Sequence, residues 1–146
     1  MIWAIRFDNA DANVTLGNRT AIKSFLTKQI KKEGLAIEQL QYVFCSDQYL
    51  LQINNDFLSH DYYTDIISFD LSETKGNLIG EIYISVDRVK ENAKTHQTSV
   101  KEELLRVIFH GALHFCGYKD KKPADYKLMR QMEDKWIRSF LRSLNK

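Results

Sequence analysis

The sequence predicts an α+β fold, a small four-stranded mixed sheet packed with helices. Three observations carry that expectation. Segments that alternate apolar and polar residues, as strands do, are interspersed with segments of helical period, without the strict alternation of a doubly wound fold. One proline and six glycines in 146 residues leave no repeat, low-complexity tract or linker, so residues 1–146 are expected to form one domain. Hydrophobic residues make up 44% and charged residues 27%, which suits one buried core beneath a polar surface.

The elements follow in order. "IWAIRF" (2–7) alternates as a strand. "NRTAIKSFLTKQIKKEG" (18–34) sets Ile22, Phe25, Leu26 and Ile30 at helical spacing and closes on a glycine. "IEQLQYVFCS" (37–46) returns to a strand pattern, and 46–58 reads as a short helix with Ser46 as its N-cap. Residues 64–71 and 77–86, separated by "SETKG", read as two adjacent strands. The rest is helical. Residues 87–96 start on Asp87. Residues 99–115 start on Ser99 with Glu102 three later, a capping box. Residues 123–144 start with Pro123 in the first turn and Asp125 beside it, in favourable register with the helix dipole.

Composition narrows the function classes. No run of about 18 apolar residues is present, so no membrane span is expected. The opening residues lack both a basic leader and a long apolar stretch, and the two isolated cysteines, Cys45 and Cys116, read as reduced thiols; a cytoplasmic protein is expected. Lys plus Arg number 21 against 19 for Asp plus Glu, a net charge of +2. Any electrostatic footprint for nucleic acid must therefore be local.

The chemistry concentrates in "HGALHFCGYKD" (110–120). Residues four apart share a helix face, so His110 and His114 can grip one ion. Gly117 is placed to end the helix and turn the chain back, bringing Asp120 toward the imidazoles. The spacing H-x3-H-x2-G-x2-D has the offsets of a longer zinc-protease signature. Two positions differ: the glutamate that follows the first histidine there, as general base, is Gly111 here, and the third ligand is Asp120. Cys116 falls on the far side of the helix from His114 and reads as a small apolar group. His60 and His96 read as solvated surface histidines.

"HGALHFCGYKD" resembles the H-G-x-L-H-L-x-G-Y-D-H signature of the YbeY family, bacterial metal-dependent endoribonucleases of ribosomal RNA maturation. "YYTDIISFD" is similar to that family's P-T-D-V-L-S-F-P segment, "LIGEIYISV" to its L-G-D-I-V-I-S strand, "INNDFLSHDYYTD" to its L-N-x-x-Y-R-x-x-D-x-P-T-D, and "MRQMEDKWI" to its M-x-x-x-E helix. Together these cover about residues 50 to 137 in the right order. The resemblance implies one Zn2+ per chain held by His110, His114 and the residue at 120, in a cleft beside the sheet; the harder carboxylate oxygen of Asp120 makes Mn2+ or Mg2+ alternatives. It implies ribosomal RNA as substrate, the small ribosomal subunit or its proteins as partners, and a place in ribosome quality control. Three positions depart from the pattern: the third histidine is Asp120, the arginine after the tyrosine is Leu58, and the aspartate of the G-D-I strand is Glu81.

His114 and Glu81 are the expected catalytic residues. Glu81 shares a strand face with Ile79, Tyr83 and Ser85, and its reading is divided equally between a cleft carboxylate and an exposed one. In 64–71, alternation groups Asp65 with Ile67 and Phe69, and Asp65 reads first as a turn or cap residue. Lys119, Lys121 and Lys122 by the motif are better candidates for phosphate contacts than Lys28, Lys31 and Lys32, although such runs are usually solvated faces. The leading expectation is a metal-dependent RNA hydrolase. The alternatives are a metal-dependent peptidase or amidohydrolase, on the protease-like spacing, and a non-catalytic ribosome-assembly factor with a structural metal, on Leu58.

Overall fold

The computed structural model describes residues 4–60 and 63–145. Its elements run β1 (Ile5–Asn9), α1 (Arg19–Lys32), β2 (Ala36–Cys45), α2 (Asp47–Leu58), β3 (Ile66–Asp70), β4 (Asn77–Ser85), α3 (Val86–His96), α4 (Val100–Phe115) and α5 (Pro123–Leu144). The four strands form one mixed sheet in the order β1-β2-β4-β3. β1 and β4 run parallel to β2, and β3 is antiparallel to β4. The α+β class, the four strands and the mixed pairing are as the sequence predicts.

Burial on the two sheet faces explains the strand patterns. Leu40, Tyr42 and Phe44 of β2 and Ile82 and Ile84 of β4 join the main core with Ile22, Phe25, Leu26 and Ile30 of α1, Phe109 and Leu113 of α4, and Trp136 and Phe140 of α5. The opposite face carries a smaller cluster, in which Cys45 and Ile67 meet Leu50 of α2 with Phe69 and Tyr83 packed alongside. Among the described residues no helix is long and apolar enough to cross a membrane.

Boundaries move where pairing or a cap decides them. The first strand runs on to Asn9, because β2 offers partners from Leu40 to Phe44; Ile2 and Trp3 lie outside the described residues. β3 begins at Ile66, opposite Ile84, so Thr64 and Asp65 precede it. α3 starts one residue early because Ser85, not Asp87, caps it, its hydroxyl accepting from the Arg88 N–H at 3.2 Å. Ser46 and Ser99 cap α2 and α4 as expected, accepting from Tyr49 and Glu102 at 3.1 and 3.0 Å.

Two glycines let the sheet and α4 approach closely. A Cβ on Gly111 would stand 2.8 Å from Ile82 Cδ1 and 3.1 Å from Ile66 Cδ1, and one on Gly80 would stand 2.8 Å from the Phe115 ring. Position 111 therefore rejects a glutamate on packing grounds as well as lacking one chemically. Tyr42 adds a polar tie across the same interface, its buried hydroxyl donating to the Ile108 carbonyl at 2.9 Å. Together these set the height of α4 over the sheet two residues before His110.

Candidate metal centre

α4 presents a stripe of residues at helical spacing, Glu103, Arg106, His110 and His114, along one wall of a cleft of about 360 Å³. Asn92 and His96 of α3, Tyr126, Met129, Arg130 and Glu133 of α5, residues Thr64, Asp65, Ile66 and Ser68, and Asp120 share the lining. Gly117 ends α4 at a φ of 102°, a conformation open to glycine at little cost. The Tyr118 N–H reaches back to the Leu113 carbonyl at 3.1 Å and the Gly117 N–H to His114 at 3.0 Å. This is the paired 6→1 and 5→2 bonding of a Schellman stop. The Tyr118 hydroxyl then donates to Glu33 Oε1 at 2.7 Å, which pins the returning loop to the end of α1.

That return carries Asp120 to both histidines. Asp120 Oδ2 stands 3.1 Å from His110 Nε2 and 3.3 Å from His114 Nε2, and the two rings lie nearly perpendicular, centroids 5.0 Å apart. Donor atoms of the three residues lie within 4.8 Å of one another. Four ligands at ~2.0–2.1 Å in a tetrahedron stand roughly 3.3 Å apart, so the donor set fits a small divalent cation. Cys116 packs against the core instead, and burial pushes its thiol up to about 12, far from the thiolate a metal takes.

His110 is aimed by α5. Its Nδ1–H donates to Glu133 Oε2 at 2.7 Å, which leaves Nε2 toward Asp120. Glu133 is 4% exposed, and Arg106 holds its other oxygen at 3.0 Å while binding Asp134 at 2.7 Å. Burial by itself would pull the His110 imidazole down. The Glu133 hydrogen bond and charge, with Asp120 and Asp65 behind them, outweigh it and raise His110 above the ordinary histidine value. A carboxylate behind a ligating imidazole is the arrangement that fixes its ring and tautomer.

The structure separates the expected catalytic pair. His114 is in the cleft, 35% exposed at its side chain. Glu81 is not. Its neighbours Gly80 and Ile82 take the α4 face of β4, so Glu81 points to the α2 side, where its Oε1 accepts from the Tyr83 hydroxyl at 3.1 Å. Strand alternation alone cannot say which face holds the cleft.

Asp65 moves in the other direction. Ile67 and Phe69 pack toward α2, but Asp65 precedes the strand and lines the cleft with Ile66 and Ser68. Burial pushes its carboxyl up against the opposing charge of His110, and its Oδ2 accepts from Asn92 at a long 3.4 Å. The Asp65 carbonyl meanwhile takes the Ser85 N–H at 3.0 Å, so the backbone is used by the sheet and the side chain by the cleft.

Glu133, Arg106 and Arg130 also line the cleft, and they ride on ordinary amphipathic helices whose period does not mark them. The M-x-x-x-E match was the one local signal for Glu133. His96 is not simply solvated: it borders the cleft with Nδ1 3.4 Å from the buried Glu103. His60 is exposed and lies outside that lining, as does Leu58. Lys119, Lys121 and Lys122 are exposed on the loop around Asp120, and Lys119 and Lys122 share a neighbouring groove with Glu33 and Asp125.

The chain matches the family model described as endoribonuclease YbeY over residues 5–141. A protein named endoribonuclease YbeY from Cytophaga hutchinsonii is 52% identical over 130 residues, 89% of this chain and 91% of the relative. Another of the same name, from Flavobacterium johnsoniae, is 47% identical over 133 residues, 90% of this chain and 94% of the relative. A solution structure of a protein from Thermotoga maritima superposes with a TM-score of 0.64 at 24% identity, covering 97% of this chain and 91% of that one. That likeness bears on the fold.

Proposed function

The chain belongs to the endoribonuclease YbeY family, and on that premise we propose that it is a metal-dependent endoribonuclease acting in ribosomal RNA processing. Its substrate is the RNA of the small ribosomal subunit. It works as one domain in the cytoplasm, in contact with that subunit, and serves ribosome maturation and quality control.

The observation that carries this reading is the convergence of His110 Nε2, His114 Nε2 and Asp120 Oδ2 in the lining of one cleft. These are the residues that would hold the ion, and zinc suits two imidazoles and a carboxylate. Bound there, it supplies Lewis acidity for activating water and for stabilising charge on a phosphoryl oxygen. The rest belongs to the chain. Glu133 holds His110 in the tautomer that leaves Nε2 free for a ligand bond. The Gly117 stop and the Tyr118–Glu33 bond hold Asp120 in place. Asp65 lines the same cleft as a half-buried carboxyl. Glu81, on the other sheet face, has no part in this reading. A peptidase is disfavoured because Gly111 offers no base beside His110 and the Ile82 contact leaves no room for one.

The test is direct. Zinc-loaded protein is incubated with labelled small-subunit ribosomal RNA and, separately, with casein, with and without chelator. Chelator-sensitive cutting of the RNA and not of casein is expected, with about one metal per chain in wild type and none in the His110→Ala, His114→Ala double variant. Casein cleavage without RNA cleavage would replace the reading with a peptidase. Stoichiometric metal in the double variant would remove the site.

A further inference from the structure

Four carboxylates border the cleft, Asp65, Glu103, Asp120 and Glu133. An RNA phosphodiester entering beside them is repelled unless a cation receives it. Two arginines share the lining, and they are in opposite conditions. Arg106 is committed: its side chain is 12% exposed, with Nη1 on Glu133 at 3.0 Å and Nη2 on Asp134 at 2.7 Å. Arg130 is not. Its side chain is 38% exposed, and among the described residues its one ion pair is Nη1 to Glu133 Oε1 at 3.8 Å, beyond hydrogen-bond length and to an oxygen that Arg106 already holds. Its donors are thus available at the cleft.

Its place on α5 gives the direction. Glu133 fixes α5 against His110. Arg130 is three residues earlier, about 4.5 Å along the axis and on the same side of the helix. It therefore lies toward the start of α5, the end from which the Asp120 loop arrives. Arg130 and the His110–His114–Asp120 cluster border one cavity.

We propose that Arg130 is the phosphate-binding residue of the cleft, gripping the non-bridging oxygens of the RNA phosphate that is cut beside the His110–His114–Asp120 cluster. The inference rests on the endoribonuclease reading and names the residue that engages its substrate. A guanidinium offers two parallel N–H donors that match a phosphoryl group. In hydrolysis water adds to phosphorus, the bond to the leaving ribose oxygen breaks, and the proton lost by the water goes to that oxygen. Charge gathers meanwhile on the non-bridging oxygens, and Arg130 donates there, as cationic clamps do in phosphoryl transfer.

The experiment compares wild type with Arg130→Ala, Arg130→Lys and Arg130→Gln. Metal content is measured on each. Binding of a fluorescein-labelled single-stranded RNA of about a dozen nucleotides is followed by anisotropy on chelator-treated protein, where no cutting interferes, across a salt series. Cleavage is measured after zinc loading. Arg130→Ala and Arg130→Gln are expected to keep the metal, to flatten the log affinity against log salt slope by ~0.7, one phosphate's worth, and to lower cleavage by about 10²–10³-fold. Arg130→Lys keeps the slope and recovers part of the rate. Unchanged slope and rate in the alanine and glutamine variants, with metal retained, overturn the inference and leave the endoribonuclease reading standing. Metal loss in both assigns Arg130 to the support of Glu133 and overturns it too. Wild-type protein that neither binds nor cuts RNA removes the function itself, a failure visible before any variant is made.

Discussion

Asp120, the proposed third ligand, would put a charged oxygen where a third histidine would put a neutral ring, and it stands on a loop rather than a helix. Two neutral imidazoles and a carboxylate leave a divalent site at about +1, against +2 for three imidazoles. A less positive centre acidifies its water less. Asp120→His is therefore expected to retain metal and to move the alkaline limb of the pH–rate profile to lower pH, while Asp120→Ala loses affinity for zinc in a chelator competition. An alanine variant that binds zinc as tightly as wild type would make Asp120 a mere turn residue. Glu133 is the second residue to test. Glu133→Gln can still accept from the His110 Nδ1–H but removes the charge behind the ring, and breaks the pair with Arg106. Zinc affinity should fall about 10–100-fold, read by the same competition, with the helical circular dichroism spectrum kept.

At the scale of elements, the site depends on how close α4 lies to β4. Gly111 meets Ile82, which is completely buried and cannot swing aside. Gly111→Ala gains up to about 1 kcal/mol of helix propensity, but the added methyl overpacks the interface at a cost of about 1–3 kcal/mol. Net destabilisation is expected in urea unfolding. Adding Ile82→Val removes the Cδ1 atom that stands nearest and should recover part of the loss. A single variant more stable than wild type would mean that α4 rides higher on the sheet than its contacts indicate.

For the whole molecule, the half-buried ionisable groups of the cleft are expected to give stability a pH dependence that bound metal would oppose. His110 is raised from 6.5 and Asp65 from 3.8. A group raised on folding favours the native state fully below its unfolded value, and that favour is lost as pH rises through its folded value. Asp65 loses its share above the ordinary carboxylate range, and His110 loses its share above the ordinary histidine value. Metal-free protein should thus lose these two contributions as pH climbs from acid through neutral. Zinc needs His110 unprotonated at Nε2, so the stabilisation that zinc adds should grow over the same range. Urea midpoints against pH, with zinc and with chelator, check both signs. A zinc increment that shrinks as pH rises through the His110 titration would contradict the ligand assignment.

Local order in the chain settled the class of fold, most elements and three of the residues at the centre. Helical period put His110 and His114 one turn apart, and a glycine three residues later ended the helix, because both effects act within a few residues. Ser46 and Ser99 marked helix starts for the same reason. What crosses the fold was not legible. Which face of β4 looks at the cleft depends on where α4 packs, so Glu81 was placed by alternation without a side, and Asp65 was grouped with the wrong neighbours once β3 began at Ile66. The Glu133–His110 bond spans 23 residues, the Arg106–Glu133 bond 27 and the Tyr118–Glu33 bond 85. Even Gly111, conspicuous in sequence as a missing base, owes its identity to an isoleucine 29 residues earlier. A period or a cap is written into consecutive residues, but a pairing between distant helices exists only after the core has brought them together.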